Sequence, residues 1–205
     1  MTAAATHPAV RAAFARRDAP GLALARDAER VATTCRAMAG RFERGGKLVV
    51  FGNGGPATDA QHIAVEFVHP VLVGKRALPA ISLANDAATV TGIARADGFD
   101  EVFAAQLRLL GSSRDIALGL SADGWCANVR RGLAVARERD MLTVALVGSD
   151  GGAIAAGDEA EHVLVARSTD PVVVKEVHVT AYHVLWELVH VFLKRPPAER
   201  PEVTG

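Results

Sequence analysis

One short stretch limits what this chain can fold into. Leu48-Val49-Val50-Phe51 runs straight into Gly52-Asn53-Gly54-Gly55-Pro56, and residues 57–66 follow with the spacing of a helix. Four consecutive apolar residues rich in β-branched types read as a buried strand. The glycines and asparagine after it suit a tight turn that Cβ-bearing residues resist. Thr58 or Asp59 is placed to cap the helix that follows. Strand, glycine turn and helix together aim backbone N–H groups at one point, a geometry that receives anions. Within the helix, His62 and Glu66 lie four residues apart and share a face. An anion cradle beside an imidazole–carboxylate pair suits a sugar phosphate. An ordinary strand-to-helix turn with a surface His–Glu pair accounts for the glycine turn about as well.

The alternation continues along the chain. Further strands are expected at 78–83, 116–120, 141–147 and 162–166. Helices are expected at 87–94, capped by Asn85-Asp86, and at 100–110, 125–137 and 171–194. Strands alternating with helices predict an α/β fold with a parallel sheet covered on both faces. The strand C-termini then share one edge, where ligands of open α/β sheets bind. Three small-residue turns fall there: 52–55, Ser121-Ala122-Asp123-Gly124 and Gly148-Ser149-Asp150-Gly151-Gly152. Ahead of the first strand, 8–17 and 20–44 read as helices. In the second, Leu24, Ala28, Val31, Cys35, Met38 and Phe42 share a face, and Gly45-Gly46 closes it. That face packs either on this sheet or on another copy of the chain. Arg195-Pro196-Pro197 stops the last helix, and the tail 196–205 is expected to lack structure. No repeat or linker divides the 205 residues. A single domain is therefore expected, with N-terminal helices at 8–44 and an α/β core at 47–195.

Composition narrows the function classes. Lys plus Arg and Asp plus Glu each number 23, so the formal net charge is zero, which argues against a polyanion-binding protein. Aromatics make up 5% of the chain, too few for a base-stacking platform. No apolar run approaches the ~20 residues that span a bilayer. The N-terminal Thr-Ala-Ala-Ala-Thr lacks a basic segment followed by an apolar one, so no signal peptide is expected. Cys35 and Cys126 show neither metal nor redox spacing, and a reducing cytoplasm is the expected setting.

Several motifs, taken together, resemble the SIS (sugar isomerase) family, most nearly its bacterial phosphoheptose isomerases. They are Gly52-Asn53-Gly54-Gly55 with Asp59-Ala60, His62 and Glu66; Gly98-Phe99; Ala127-Asn128-Val129; Gly148 with Asp150-Gly151-Gly152; and Glu176-Val177-His178 with His183. The resemblance covers roughly residues 20–195. It implies a flavodoxin-like, doubly wound sheet of five parallel strands flanked by helices. It implies a homotetramer with a core of N- and C-terminal helices and active sites at subunit interfaces. The implied partner is a small phosphorylated sugar, with neither nucleic acid nor membrane. The implied reaction converts sedoheptulose 7-phosphate to D-glycero-D-manno-heptose 7-phosphate. The resemblance also implies zinc held by His62, Glu66 and His183, with Glu66 and His183 as the acid–base pair. Asn53, Gly54, Gly55, Ser121, Asp123, Gly124 and Asn128 fall at substrate-binding positions. The residue types suit the chemistry: a base lifts a proton from the carbon beside a carbonyl, an acid protonates the oxygen, and an enediolate links the two forms.

Other positions depart from the family pattern. Pro56 stands where the family has a serine, and removes a hydroxyl and an N–H donor. The second loop, normally Ser-Thr-Ser-Gly, reads Ser121-Ala122-Asp123-Gly124, so a carboxylate sits where a dianion would bind. At ~4 Å two like charges repel by about 1 kcal/mol in water and by several at a protein surface. An Asp123 turned to cap the Trp125 helix avoids that cost. Trp125 either fills the phosphate pocket or covers a more apolar ligand. The family's zinc-binding Gln falls at Lys175, whose ammonium has no lone pair. That leaves no zinc, zinc on three residues and water, or a Lys175 that brings positive charge to the site. Pro70 takes the place of a family Arg, and Lys75, Arg76 and Arg95 are either replacement phosphate contacts or solvated cations. His183, Glu187 and His190 share a face that is either a second polar cluster or an interface stripe. His69 and His178 are expected to be structural. Three functions remain open: an isomerase of a phosphorylated seven-carbon sugar, a non-catalytic SIS-domain regulatory or assembly subunit, and a divergent isomerase of another phosphosugar.

Overall fold

The structure, a computed structural model, describes residues 7–193. Its five strands are β1 (Leu48–Gly52), β2 (Ala80–Ser82), β3 (Ile116–Ser121), β4 (Leu142–Gly148) and β5 (His162–Ala166). They form one parallel sheet in the order β2-β1-β3-β4-β5. The helices are α1 (Pro8–Arg26), α2 (Ala28–Glu43), α3 (Gly55–Val68), α4 (Ala87–Asp97), α5 (Val102–Leu110), α6 (Ala127–Glu138), α7 (Gly152–Ala156) and α8 (Pro171–Phe192). Strand side chains alternate between two layers. Leu48 and Val50 join a cluster with Phe42 of α2, Ile63 of α3 and Leu185 of α8. Val49 and Phe51 join one with Phe103 of α5 and Leu133 of α6. Burial on both faces is why the β1 sequence is continuously apolar rather than alternating.

The helix ends follow local chemistry, with some departures from expectation. Gly45, at φ +78°, closes α2 as foreseen; its N–H bonds Phe42 O at 3.0 Å and the Gly46 N–H bonds Arg41 O at 3.0 Å. That pair of bonds satisfies carbonyls left over at the helix end. No break occurs at 18–19. α1 continues through a buried Pro20, and the chain turns at Asp27, whose carboxylate accepts from Arg167 at 2.7 Å. The expected helical face is therefore split: Val31, Cys35, Met38 and Phe42 are buried on α2, whereas Ala28 is exposed. α2 packs on α8 of the same chain through that face. β2 is shorter than 78–83 because Pro79 has no N–H for the ladder; Leu78 instead donates to Phe67 O at 2.8 Å. α6 begins at Ala127 rather than Trp125, after an extended Cys126. The stop at 195–197 and the tail 196–205 lie outside the described residues.

Candidate functional site

The site begins at the β1–α3 turn. Gly54 adopts φ +61° and ψ −121°, a conformation that side chains oppose. α3 therefore starts at Gly55, with Pro56 in the first turn, where a missing N–H costs nothing. The cap position is Gly54, not Thr58 or Asp59. Those two residues look back and inward instead. Thr58 Oγ1 donates to Gly55 O at 2.7 Å, and Asp59, 6% exposed, meets Lys175 Nζ of α8 at 2.6 Å. Lys175 also donates to Gly55 O at 3.3 Å, so its charge is spent on the head of α3.

Two turns into α3, His62 and Glu66 meet His183 of α8. His62 Nε2 lies 3.2 Å from Glu66 Oε1, and the His62 and His183 rings are 5.3 Å apart. One donor atom from each of the three residues falls within 4.8 Å of the others. The sequence places His62 and His183 far apart, and the fold brings them together. His183 Nδ1 sits 2.8 Å from Val179 O. Only a protonated Nδ1 can bond a carbonyl, so a neutral His183 carries its lone pair on Nε2. Trp186 Nε1 donates to the Glu66 carbonyl at 2.9 Å and ties α3 to α8. Tyr182 Oη is 2.8 Å from His62 Nδ1. Burial, reinforced by the charges of Asp59 and Glu66, pushes the Tyr182 phenol up to about 12, so it stays protonated. Two imidazoles and a carboxylate at this spacing are donors that zinc accepts. Lys175, held by Asp59, is not one of them.

The loops at the C-terminal ends of the strands are closed on themselves. Asn53 and Asn128 exchange amide hydrogen bonds of 2.7 and 3.0 Å, locking the glycine turn to the start of α6. Ser121 Oγ accepts from Gly124 N at 2.9 Å and donates to Asp123 Oδ1 at 3.2 Å. Asp123 Oδ1 also accepts the Trp125 N–H at 2.9 Å. Two donors of the second loop thus face the chain's own carboxylate. Because α6 starts at Ala127, Asp123 closes the turn before the helix and does not cap it. Gly124, at φ +78°, lies so close to Gly151 that any Cβ would overlap the Gly151 carbonyl, so the second and third loops interlock.

Trp125 is 66% exposed and borders an outward-facing hollow with Arg130 and Glu159. It does not plug the space beside the glycine turn. That space, a cavity of about 300 Å³, opens toward α4 between Asn53, Gly54, Ala57, Thr91 and Phe99. The three spare cations do not gather there. Lys75 lies over the Trp186 ring, Arg76 offers its carbonyl to His190 at 2.9 Å, and Arg95 is exposed on α4.

His183, Glu187 and His190 do not form one polar cluster. His190 is buried against Trp186 and Phe67, while Glu187 is exposed. His178 is buried, and its Nε2 has no hydrogen-bond partner among the described residues. Tyr182 and Trp186 escaped sequence reasoning. The available signal was an aromatic pair at helical spacing, one of them adjacent to a candidate ligand.

Residues 22–148 match the family described as SIS domain. A phosphoheptose isomerase of Pelobacter propionicus is 43% identical over 148 residues, 72% of this chain and 77% of its own length. The solved phosphoheptose isomerase of Neisseria gonorrhoeae superposes with a TM-score of 0.81 at 32% identity, covering 89% of this chain and 97% of that one. The solved phosphoheptose isomerase of Francisella tularensis gives a TM-score of 0.83 at 28% identity, covering 89% and 96%.

Proposed function

The chain belongs to the SIS-domain family, among the phosphoheptose isomerases, and from that premise we propose that it interconverts a ketose phosphate and an aldose phosphate of the sedoheptulose 7-phosphate kind. The observation that carries the reading is the convergence of His62 and Glu66 of α3 with His183 of α8. Glu66 moves the carbon proton. It lifts the proton from C1, and the C–H electron pair becomes the C1–C2 double bond of an enediolate. Return of the proton to C2 completes the aldose, so no atom is gained or lost. With no metal bound, His183 carries the accompanying proton between the two oxygens on its free Nε2 lone pair; bound zinc would take that lone pair and polarise the carbonyl in its place. Glu66 is 13% exposed, which protects its carboxylate from bulk water while leaving it reachable. From Gly55 to His62 the helix rises about 10 Å, which separates a phosphate held at the turn from the reacting carbons.

Zinc, held by His62, Glu66 and His183, would polarise the substrate carbonyl as a Lewis acid. The proposal also includes a homotetramer with sites at subunit interfaces, supported by Phe14 and Leu22, which are 70% and 59% exposed on α1. A cytoplasmic setting is proposed on the two free cysteines. No helix among the described residues is long and apolar enough to cross a membrane. A second reading, a divergent isomerase acting on another phosphosugar, is favoured by one feature: Asp123 occupies donors of the second loop.

The test is incubation with sedoheptulose 7-phosphate, with and without zinc, following formation of the aldose phosphate by NMR. Turnover is expected, and Glu66→Gln should lower it at least about 100-fold. Absence of turnover under both conditions, or turnover indifferent to Glu66→Gln, overturns the reading.

A further inference from the structure

We propose that Tyr182 is a positioning residue whose hydroxyl lets His62 change tautomer, so that His62 Nε2 can present a lone pair to a divalent metal without the ring losing its anchor. The inference rests on the metal reading given above. Three features of the structure lead to it. His62 is 44% exposed, so its own packing does not fix the ring. Tyr182 is 2% exposed and buried in α8, and its ring meets His62 edge-on with centroids 5.5 Å apart. Its Oη lies 2.8 Å from His62 Nδ1.

A neutral imidazole carries a single N–H. With the hydrogen on Nε2, His62 donates to Glu66 Oε1, 3.2 Å away, and Tyr182 donates its O–H to Nδ1. With the hydrogen on Nδ1, His62 donates to the phenol oxygen. Nε2 and Glu66 Oε1 then face each other as two lone-pair donors, an arrangement that only a cation between them makes favourable. A hydroxyl both donates and accepts, so rotation of one O–H bond serves both states. His183 differs. Its Nδ1 faces the Val179 carbonyl, which only accepts, so a neutral His183 keeps one tautomer whether or not metal is present. The site thus pairs one preset imidazole with one that switches.

Tyr182→Phe keeps the buried ring and removes only the hydroxyl. Zinc is titrated into the metal-free full-length protein against a chromophoric chelator, and the His62 tautomer is read from ¹⁵N–¹H correlations of the imidazole. Zinc affinity should fall about 10–100-fold in the variant, the range typical for loss of a ligand's outer partner. The melting temperature of the metal-free protein should be little changed, which a purely structural role does not predict. In the wild type, added zinc should move the His62 hydrogen from Nε2 to Nδ1. Equal zinc affinity in the two proteins overturns the proposal, as does a wild-type His62 whose tautomer ignores zinc. The second result stands even where the variant fails to fold. A wild type that takes up no zinc overturns the metal assignment and Tyr182's role together, while isomerase turnover, measured separately, decides the reaction itself.

Discussion

Lys175→Met removes the ammonium that faces Asp59 and keeps most of the side-chain volume. At the observed 2.6 Å, Coulomb's law gives about 6 kcal/mol at an effective dielectric of 20 and about 1.6 kcal/mol in water. The two ends are unlike: Asp59 is 6% exposed and Lys175 is 46% exposed. Breaking a fully buried pair costs about 3–5 kcal/mol, because the remaining charge stays desolvated. Solvent screening of the half-exposed ammonium lowers that figure, and about 2–3 kcal/mol is expected. Asp59 has little to fall back on, since its Oδ2 has no hydrogen-bond partner among the described residues. Urea unfolding of metal-free protein at one fixed concentration measures the loss as a fall in midpoint at constant slope. Asp59→Asn in the same background should restore part of it, with a coupling energy above about 1 kcal/mol. A Lys175→Met loss under about 0.5 kcal/mol, or strict additivity with Asp59→Asn, would refute the idea that this pair secures the head of α3.

Two further outcomes follow from buried and loop groups. Burial, with help from the Lys175 charge, holds the His178 pKa below its ordinary value against the opposing pull of Val147 and Asp59. The unfolded chain therefore binds the proton first as pH falls. Stability should drop from about pH 6.5 downward, by up to about 1.4 kcal/mol per pH unit until the folded-state pKa is reached. His178→Leu should flatten that part of the profile, and identical pH slopes in the two proteins contradict the assignment. Asp123→Ser frees the Ser121 hydroxyl and the Trp125 N–H, so inhibition by inorganic phosphate should strengthen by about tenfold, the equivalent of about 1.4 kcal/mol. An unchanged inhibition constant would place the anion site away from this loop.

The sheet was legible in the sequence because each strand carries its own signal. β1 is apolar at every position since both its faces are covered, and β5 spans the expected 162–166. Helix starts were less legible. Thr58 and Asp59 are good capping types, but the positive φ of Gly54 sets the start of α3 earlier. The break expected at Asp18-Ala19 is absent, and α1 runs on through a buried Pro20. The pairing of His62 with Glu66 was readable from i, i+4 spacing. No spacing rule joins them to His183, which came from family resemblance. Asp59 with Lys175 and Asn53 with Asn128 are 116 and 75 residues apart, and only the folded chain shows that these side chains satisfy each other. Lys175 therefore had three open readings in the sequence; the fold turns its ammonium toward the head of α3.

The Trp186–Glu66 bond described above has an evolutionary consequence. It fastens the two helices that carry Glu66 and His183, the proposed acid–base pair, to each other through a contact that involves neither the loop at 121–124 nor that at 148–152. In the proposed reading, reactivity and selectivity are thereby mounted on separate supports. If the loop at 121–125 admits the sugar, as proposed, substitutions at 122, 123 and 125 would retune its choice while the fastening of the two helices is inherited intact.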